Sequence, residues 1–286
     1  MLNKVVNGDD ENPQFALTWF QICQLADGME WSRLKFEVSR KLDEDEIKLE
    51  RMKIPIDFED LGFRILLLAA TSNPQGTWEQ RLNTLEERAA ELLEGRHMLL
   101  PHVQKCSERL QALLAINTSS AWAEFASVMR MELSRPRWAL EAAAIALEKD
   151  PSNEAALTVS IAANGEIGEF ALAHHAYAQT KRLNPKSNHA SNAIAKVELR
   201  EGKFDDAVKD AMRAFVAQPN SATARLIGNI YRGAGLNKTA YRWYADAENI
   251  DGPNEESVTT AHVHGLILLA KEAIKALPAN QAGSES

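Results

Sequence analysis

An all-α protein in which antiparallel helix pairs repeat along the chain is what this sequence predicts, on three observations. Four prolines, Pro151, Pro185, Pro219 and Pro253, each stand 34 residues from the next. The segments they close overlay residue on residue: Gly168, Phe170, Ala173, Tyr177 and Thr180 precede Pro185 at the same offsets at which Gly202, Phe204, Ala207, Ala211 and Ala214 precede Pro219. Before those segments, the apolar residues recur at helical spacing, so nearly everything there reads as helix as well.

Residues 1–117 read as an N-terminal helical region without a convincing copy of the repeat. Asn12 and Pro13 mark a helix start, and Phe15, Leu17, Trp19, Phe20, Cys23 and Leu25 supply apolar positions for a helix ending near Gly28. From about Glu30 to Met52 the chain is heavily charged, with the acidic run Asp43-Glu44-Asp45-Glu46 in its middle, expected as a solvated face or loop. Pro55 interrupts the chain, Asp57 or Asp60 opens a helix holding Phe63, Ile65, Leu66, Leu67 and Leu68, and Asn73-Pro74-Gln75-Gly76 is a turn signal. A helical hairpin follows, from about Thr77 to Glu94 and from Leu100 to Ile116. Its apolar stripes are Leu82, Leu85, Ala89, Leu92 and Leu93 on one helix, and Val103, Cys106, Leu110, Leu113 and Leu114 on the other. Docked on Trp122 and Phe125, that hairpin would cap the first repeat, whose apolar face needs cover.

Residues 118–254 hold about four copies of the unit. The first runs from about Thr118 to Pro151 with Trp122, Ala126, Ala139, Ala143 and Ala146 at matching places, and Ser134, Arg135 and Pro136 make its turn in place of the glycine. In the last copy, with Ile227, Gly228, Tyr231, Gly235, Ala240, Tyr244 and Ala247, glycine and alanine fall 33 residues after their counterparts, so the register slips once near Pro219 to Ala222. Glycine ends the first helix of a pair because it tolerates a left-handed backbone. The alanines let two helices approach closely, and proline stops the second helix by pushing the residue before it out of helical geometry. Residues 255–277, with Val258, Val263, Leu266, Ile267, Leu269, Ala270 and Ala273 in one stripe, are expected to form a C-terminal capping helix, and 278–286 a disordered tail.

A 34-residue unit with a glycine turn, a small residue after it, an aromatic four later and a closing proline resembles the tetratricopeptide repeat. The resemblance covers roughly residues 118–254. It implies a right-handed α-solenoid of antiparallel helix pairs, a superhelix whose concave face is lined mainly by the first helix of each pair. It also implies that an extended peptide or a helix of a partner protein lies in that groove.

Composition bounds the function. The chain has 286 residues, 45% of them hydrophobic, and a formal net charge of −8, which argues against a general nucleic-acid binder. Residues 1–117 carry 14 Lys plus Arg against 20 Asp plus Glu, whereas residues 118–276 carry 18 against 19, so the repeat array is nearly neutral. Cys23 and Cys106 sit in apolar helical stretches and read as free, buried thiols rather than a disulfide scaffold. The first ten residues lack the apolar core of a secretory signal, and Leu61 to Ala70 is too short to span a bilayer and contains Arg64. A soluble, cytoplasmic protein without membrane insertion is the expectation.

Catalytic motifs do not emerge. A phosphate loop, a Gly-x-Ser-x-Gly elbow and a His-Glu-x-x-His pair are all missing from the sequence. Gly233-Ala234-Gly235 superficially resembles a dinucleotide loop but falls at the repeat's own turn. His174 and His175 diverge by about 100° around a helix, and His262 and His264 also diverge, so neither pair grips one metal. No enzyme, cofactor or metal is expected.

The candidate site is therefore a binding surface. On the first helix of the third copy, Ala190, Ala193, Ile194 and Val197 form the buried stripe, while His189, Asn192, Lys196 and Arg200 share another face. In the fourth copy Leu226, Ile227, Ile230 and Tyr231 are the buried set and Arg225, Asn229 and Arg232 the opposed one. Stacked side by side, the two rows give a basic patch with two amides and no acid, suited to a carboxylate-rich segment or a free C-terminus. Arg225 with Asn229 matches the spacing of one element of the carboxylate clamp by which some tetratricopeptide proteins hold chaperone C-termini, although no further full repeat follows to supply the remaining cations. The first two copies offer Ala121, Glu124, Val128 and Met131, then Ala155, Thr158 and Ala162, a more apolar surface. The expected function is a non-enzymatic scaffold or adaptor holding an acidic or C-terminal partner segment. Rival readings are an enzymatic or regulatory domain in residues 1–117 served by the repeats, and a secretion or assembly chaperone.

Overall fold

The computed structural model describes residues 17–52, 58–94, 96 and 98–251. Among the described residues it has thirteen α-helices and no strand. They fall into two compact units: residues up to Ile116 together with Met131–Ser134, and Asn117–Arg130 together with the chain from Arg135 onward.

The first unit contains α1 (Trp19–Leu25), α2 (Trp31–Met52), α3 (Phe58–Ala69), α4 (Trp78–Leu92) and α5 (Leu100–Ile116). Helix α1 starts at Trp19 because Thr18 and Gln21 form a reciprocal capping box; Asn12, Pro13 and Phe15 lie outside the described residues. The same box, Thr77 with Gln80, starts α4. The acidic run expected as a loop or plain solvated face lies inside the unbroken helix α2, and two of its members tie the unit together. Asp45 accepts from Trp19 Nε1 at 2.7 Å and from Lys41, and Asp43 accepts from Arg96, which also donates to the Ser39 carbonyl. Pro55 and Asp57 lie outside the described residues, and Asp60 pairs with Arg64 inside α3 rather than opening it. The turn after α3 uses left-handed Asn73 and Gly76. Every expected core position of α4 and α5 is buried except Leu114, which is half-buried. Helix α3 crosses α5 so closely at Gly62 that an added Cβ would stand 2.8 Å from Cys106 Sγ and 3.0 Å from the His102 carbonyl oxygen. Both cysteines are free, and burial pushes the Cys106 thiol up to about 11.

Among its described residues the second unit has four helix pairs: α6 (Ser119–Met131) with α7 (Pro136–Lys149), α8 (Glu154–Ile167) with α9 (Phe170–Leu183), α10 (Asn188–Glu201) with α11 (Phe204–Ala217), and α12 (Ser221–Gly233) with α13 (Asn237–Asp251). Within each of the last three pairs the turn is built alike. Gly168, Gly202 and Gly235 are left-handed, and the next residue donates its backbone N–H five residues back: Glu169 to Asn164, Lys203 to Glu198, Leu236 to Tyr231. In the first pair Ser134 takes the left-handed position at φ 51° and Arg135 reaches six residues back, to Met129.

The register slip has a definite place. The second helices are closed by Asp150, Asn184 and Gln218, 34 residues apart, whereas the caps that open the next first helices are Asn153, Ser187 and Asn220. The missing residue therefore lies in the connection Gln218–Asn220. A deletion inside a helix would turn every later side chain by about 100°; in the loop it leaves all faces aligned.

Alanine makes the close packing possible. Ala139, Ala143, Ala146, Ala173, Ala207, Ala211, Ala214, Ala240 and Ala247 are all buried. Gly165 of α8 faces Val197 of α10 with no room for a Cβ, and at Gly228 a Cβ would stand 2.6 Å from the Tyr244 ring. Phe215 and Trp243 meet edge to face with ring centroids 5.5 Å apart in the core of the last two pairs. Tyr231, expected in the buried set, is only half-buried. Pro253, His262, His264, the expected capping helix 255–277 and the tail 278–286 lie outside the described residues. No helix among the described residues is long and apolar enough to cross a membrane.

Candidate functional site

The first helices of the pairs wall a groove of about 400 Å³ in the second unit. Helix α10 forms its floor and sets its chemistry. Ser187 caps that helix by accepting from the Ala190 N–H at 3.1 Å, and its own hydroxyl donates to the Glu154 carboxylate, which locks the helix in rotation. Ala190, Ile194 and Val197 then point into the core, all fully buried, and His189, Asn192, Lys196 and Arg200 follow one another along the groove at spacings of three and four.

Helices α6 and α8 bring the opposite wall. Arg130 reaches in from α6, and its Nη1 donates to Glu166 Oε1 of α8 at 2.8 Å. Thr158 and Ala162, two turns and one turn before Glu166, complete that wall. Arg130 Nε and Thr158 Oγ1 are buried without a hydrogen-bond partner. Although Lys196 as a residue is exposed, its ammonium is desolvated against this wall, and that burial, followed by the charges of Arg130 and Arg200, lowers its pKa while Glu166 opposes the change.

The far end is polar and self-satisfied. Asn192 donates from Nδ2 to Thr223 Oγ1 of α12 at 2.8 Å, Asn188 donates to Gln218, and Asn220 Oδ1 accepts from the Thr223 N–H as the cap of α12. Hydrogen-bonding capacity is spent at that end and concentrated in cations at the other. Guanidinium and ammonium groups partly shielded from water are chemically suited to a carboxylate, through charge-assisted bonds.

Of the seven residues expected from sequence, the groove unites His189, Asn192, Lys196 and Arg200 and leaves out Arg225, Asn229 and Arg232. Arg225 and Arg232 are exposed elsewhere on α12, and the Asn229 carbonyl accepts from Tyr244 OH of α13 at 2.8 Å, so its amide oxygen is committed within its own helix pair. Beside the residues expected there, Glu166 of α8 brings an acid into the groove. Among the apolar residues expected on the groove from the first two copies, Thr158 and Ala162 are there, but Ala121 and Val128 are buried. Arg130 and Glu166 were missed because the sequence was read along one helix at a time. Across copies, Glu166 stands 34 residues before Arg200, Ala162 before Lys196 and Thr158 before Asn192, so reading columns instead of rows finds the α8 part of that wall, though not Arg130, which lies 36 residues before Glu166.

Among the described residues no group of three or more His, Cys, Asp or Glu side chains is placed to hold a metal ion. His174 is engaged by Glu201, with Nε2 and Oε2 2.6 Å apart. Gly235 serves the turn between α12 and α13.

No family model matches this chain. No curated protein matches it either. Among solved structures it is similar to the crystal structure of PilW, a widely conserved type IV pilus biogenesis factor, at a TM-score of 0.42 and 15% identity, covering 85% of this chain and 97% of that one. A likeness of that size carries no functional inference. The helix pairs themselves, with their recurring caps, turns and alanine contacts, make this a helical repeat protein.

Proposed function

We propose that this protein is a non-enzymatic scaffold whose tetratricopeptide-like array binds an acidic or C-terminal segment of a partner protein in the groove of α6, α8, α10 and α12. One observation carries the reading: Arg130, His189, Lys196 and Arg200 converge on one groove with Glu166 as its acid, in a chain with a formal charge of −8. The groups present suit holding rather than reacting. Glu166 is engaged by Arg130, and the remaining polar side chains are basic groups, amides and two hydroxyls, a set suited to holding an anion.

The energetics favour the cationic end as the anchor. Charge-assisted bonds covered from water contribute about 1.5–3 kcal/mol each, against roughly 0–1 for exposed pairs. Micromolar affinity requires about 8 kcal/mol, which two or three covered contacts and some apolar burial supply. The test is the Lys196→Ala/Arg200→Ala double variant, with Arg232→Ala as a control outside the groove. Fluorescence polarisation with labelled acidic peptides, and partner capture by affinity purification, should both weaken at least tenfold in the double variant and not in the control. Added salt should weaken the wild-type complex. Identical binding by the double variant and wild type would overturn the proposal.

A further inference from the structure

Resting on that reading of the groove, we infer that Glu166 is a built-in competitor for the ligand: it occupies Arg130 in the free protein, and an incoming carboxylate must displace it. Three observations place it in that role. Glu166 Oε1 is 2.8 Å from Arg130 Nη1, and both residues line the groove with Lys196 and Arg200. The pair is not closed off in the core, since the two side chains keep 23% and 26% of their surface open, so a ligand can reach the carboxylate and replace it. The ion pair is also incomplete, because Glu166 takes a single bond from the guanidinium, through Nη1, while Nε is buried out of a ligand's reach. A planar guanidinium is built for two parallel bonds to one carboxylate, and Glu166 supplies only one of them. A ligand carboxylate that brings both oxygens to the fork gains what Glu166 leaves unmade.

The consequence is selectivity. A ligand with a single negative charge meets Lys196 and Arg200 while Arg130 stays occupied. A ligand with several carboxylates can place one on Arg130 and another on Lys196 or Arg200, so the groove favours clustered acids over isolated ones. The lowered pKa of Lys196, caused by burial and by Arg130, fits a free groove whose cations outnumber its acid.

The probe is a fluorescein-labelled hexapeptide of alternating Glu and Ser, with its Gln–Ser counterpart as the neutral control. Glu166→Gln should bind the Glu peptide at least fivefold more tightly than wild type and the Gln peptide no better. In an Arg130→Gln background, where there is no guanidinium to release, the Glu166→Gln gain should fall to less than twofold. If the Glu peptide binds wild type and Glu166→Gln equally, or if the gain is the same in the Arg130→Gln background, Glu166 is not a competitor at Arg130, while the groove reading stands. If the Glu peptide binds neither protein, the groove reading itself falls and this inference with it. Far-UV circular dichroism confirms that each variant retains its helices.

Discussion

Removing the charge of Glu198 tests the packing between α10 and α11. The side chain lies in the last turn of α10, 5% exposed, and its Oε2 has no hydrogen-bond partner. Burial first, then the charges of Asp210, Asp206 and Glu201, push its pKa from 4.5 to about 8, with Lys203 opposing. Asp210 sits there because Tyr177 OH donates to it at 2.7 Å from α9 and Arg213 Nη1 at 2.6 Å from its own helix. Between pH 4.5 and pH 8 the folded chain keeps a proton on Glu198 that the unfolded chain has released. Stability therefore falls as pH rises across that window, and the full cost is present above it. At about 1.4 kcal/mol per pH step, the charged form costs about 5 kcal/mol in a rigid site and about 2–3 once the helix end relaxes and admits water. Glu198→Gln removes the titration while keeping the shape. Urea unfolding of both proteins between pH 5 and pH 8.5 should show the variant gaining about 2–3 kcal/mol on wild type across that range. A difference that stays flat with pH, to within about 0.5 kcal/mol, would refute the reasoning.

Other expectations follow from the same contacts. Gly165→Ala gains about 1 kcal/mol of helix propensity but drives a methyl into Val197, so a net loss of about 1–2 kcal/mol is expected, and Val197→Ala should relieve it in the double variant. Gly62→Ala meets the His102 backbone as well as Cys106, cannot be relieved by a rotamer change, and should cost about 2–3 kcal/mol in urea unfolding. Asn153→Ala removes the α8 cap on the Ala156 N–H and the Nδ2 bond to Ser119 of the preceding pair, an expected loss of about 1–2 kcal/mol, whereas Asn153→Asp should keep the cap and recover much of it.

The helix pairs were legible because their signals are local and repeat. Proline and glycine act on their own backbone, so Gly168, Gly202 and Gly235 at a constant offset announce the turns wherever the helices later pack. Even the register slip showed as a 33-residue interval beginning near Pro219 to Ala222, and the caps Gln218 and Asn220 narrow it to the connection between them. The acidic run of α2 shows the opposite case: Asp43 stays exposed as a solvated face would, but that Asp43 and Asp45 also bind Arg96 and Trp19 was not legible, because those partners lie far from them in sequence.

For the groove the same division holds. Periodicity alone put His189, Asn192, Lys196 and Arg200 on one face of one helix, since residues three and four apart on a helix always share a side. What stands across from that face is a matter of how neighbouring pairs stack, and stacking brought in Arg130 and Glu166 while sending the Asn229 amide to Tyr244. Sequence thus determined the helices, their turns and one wall of the site. Tertiary structure decided the second wall and the acid within it, because the contacts that place them join residues roughly one repeat apart, and no local propensity records which side chains will meet.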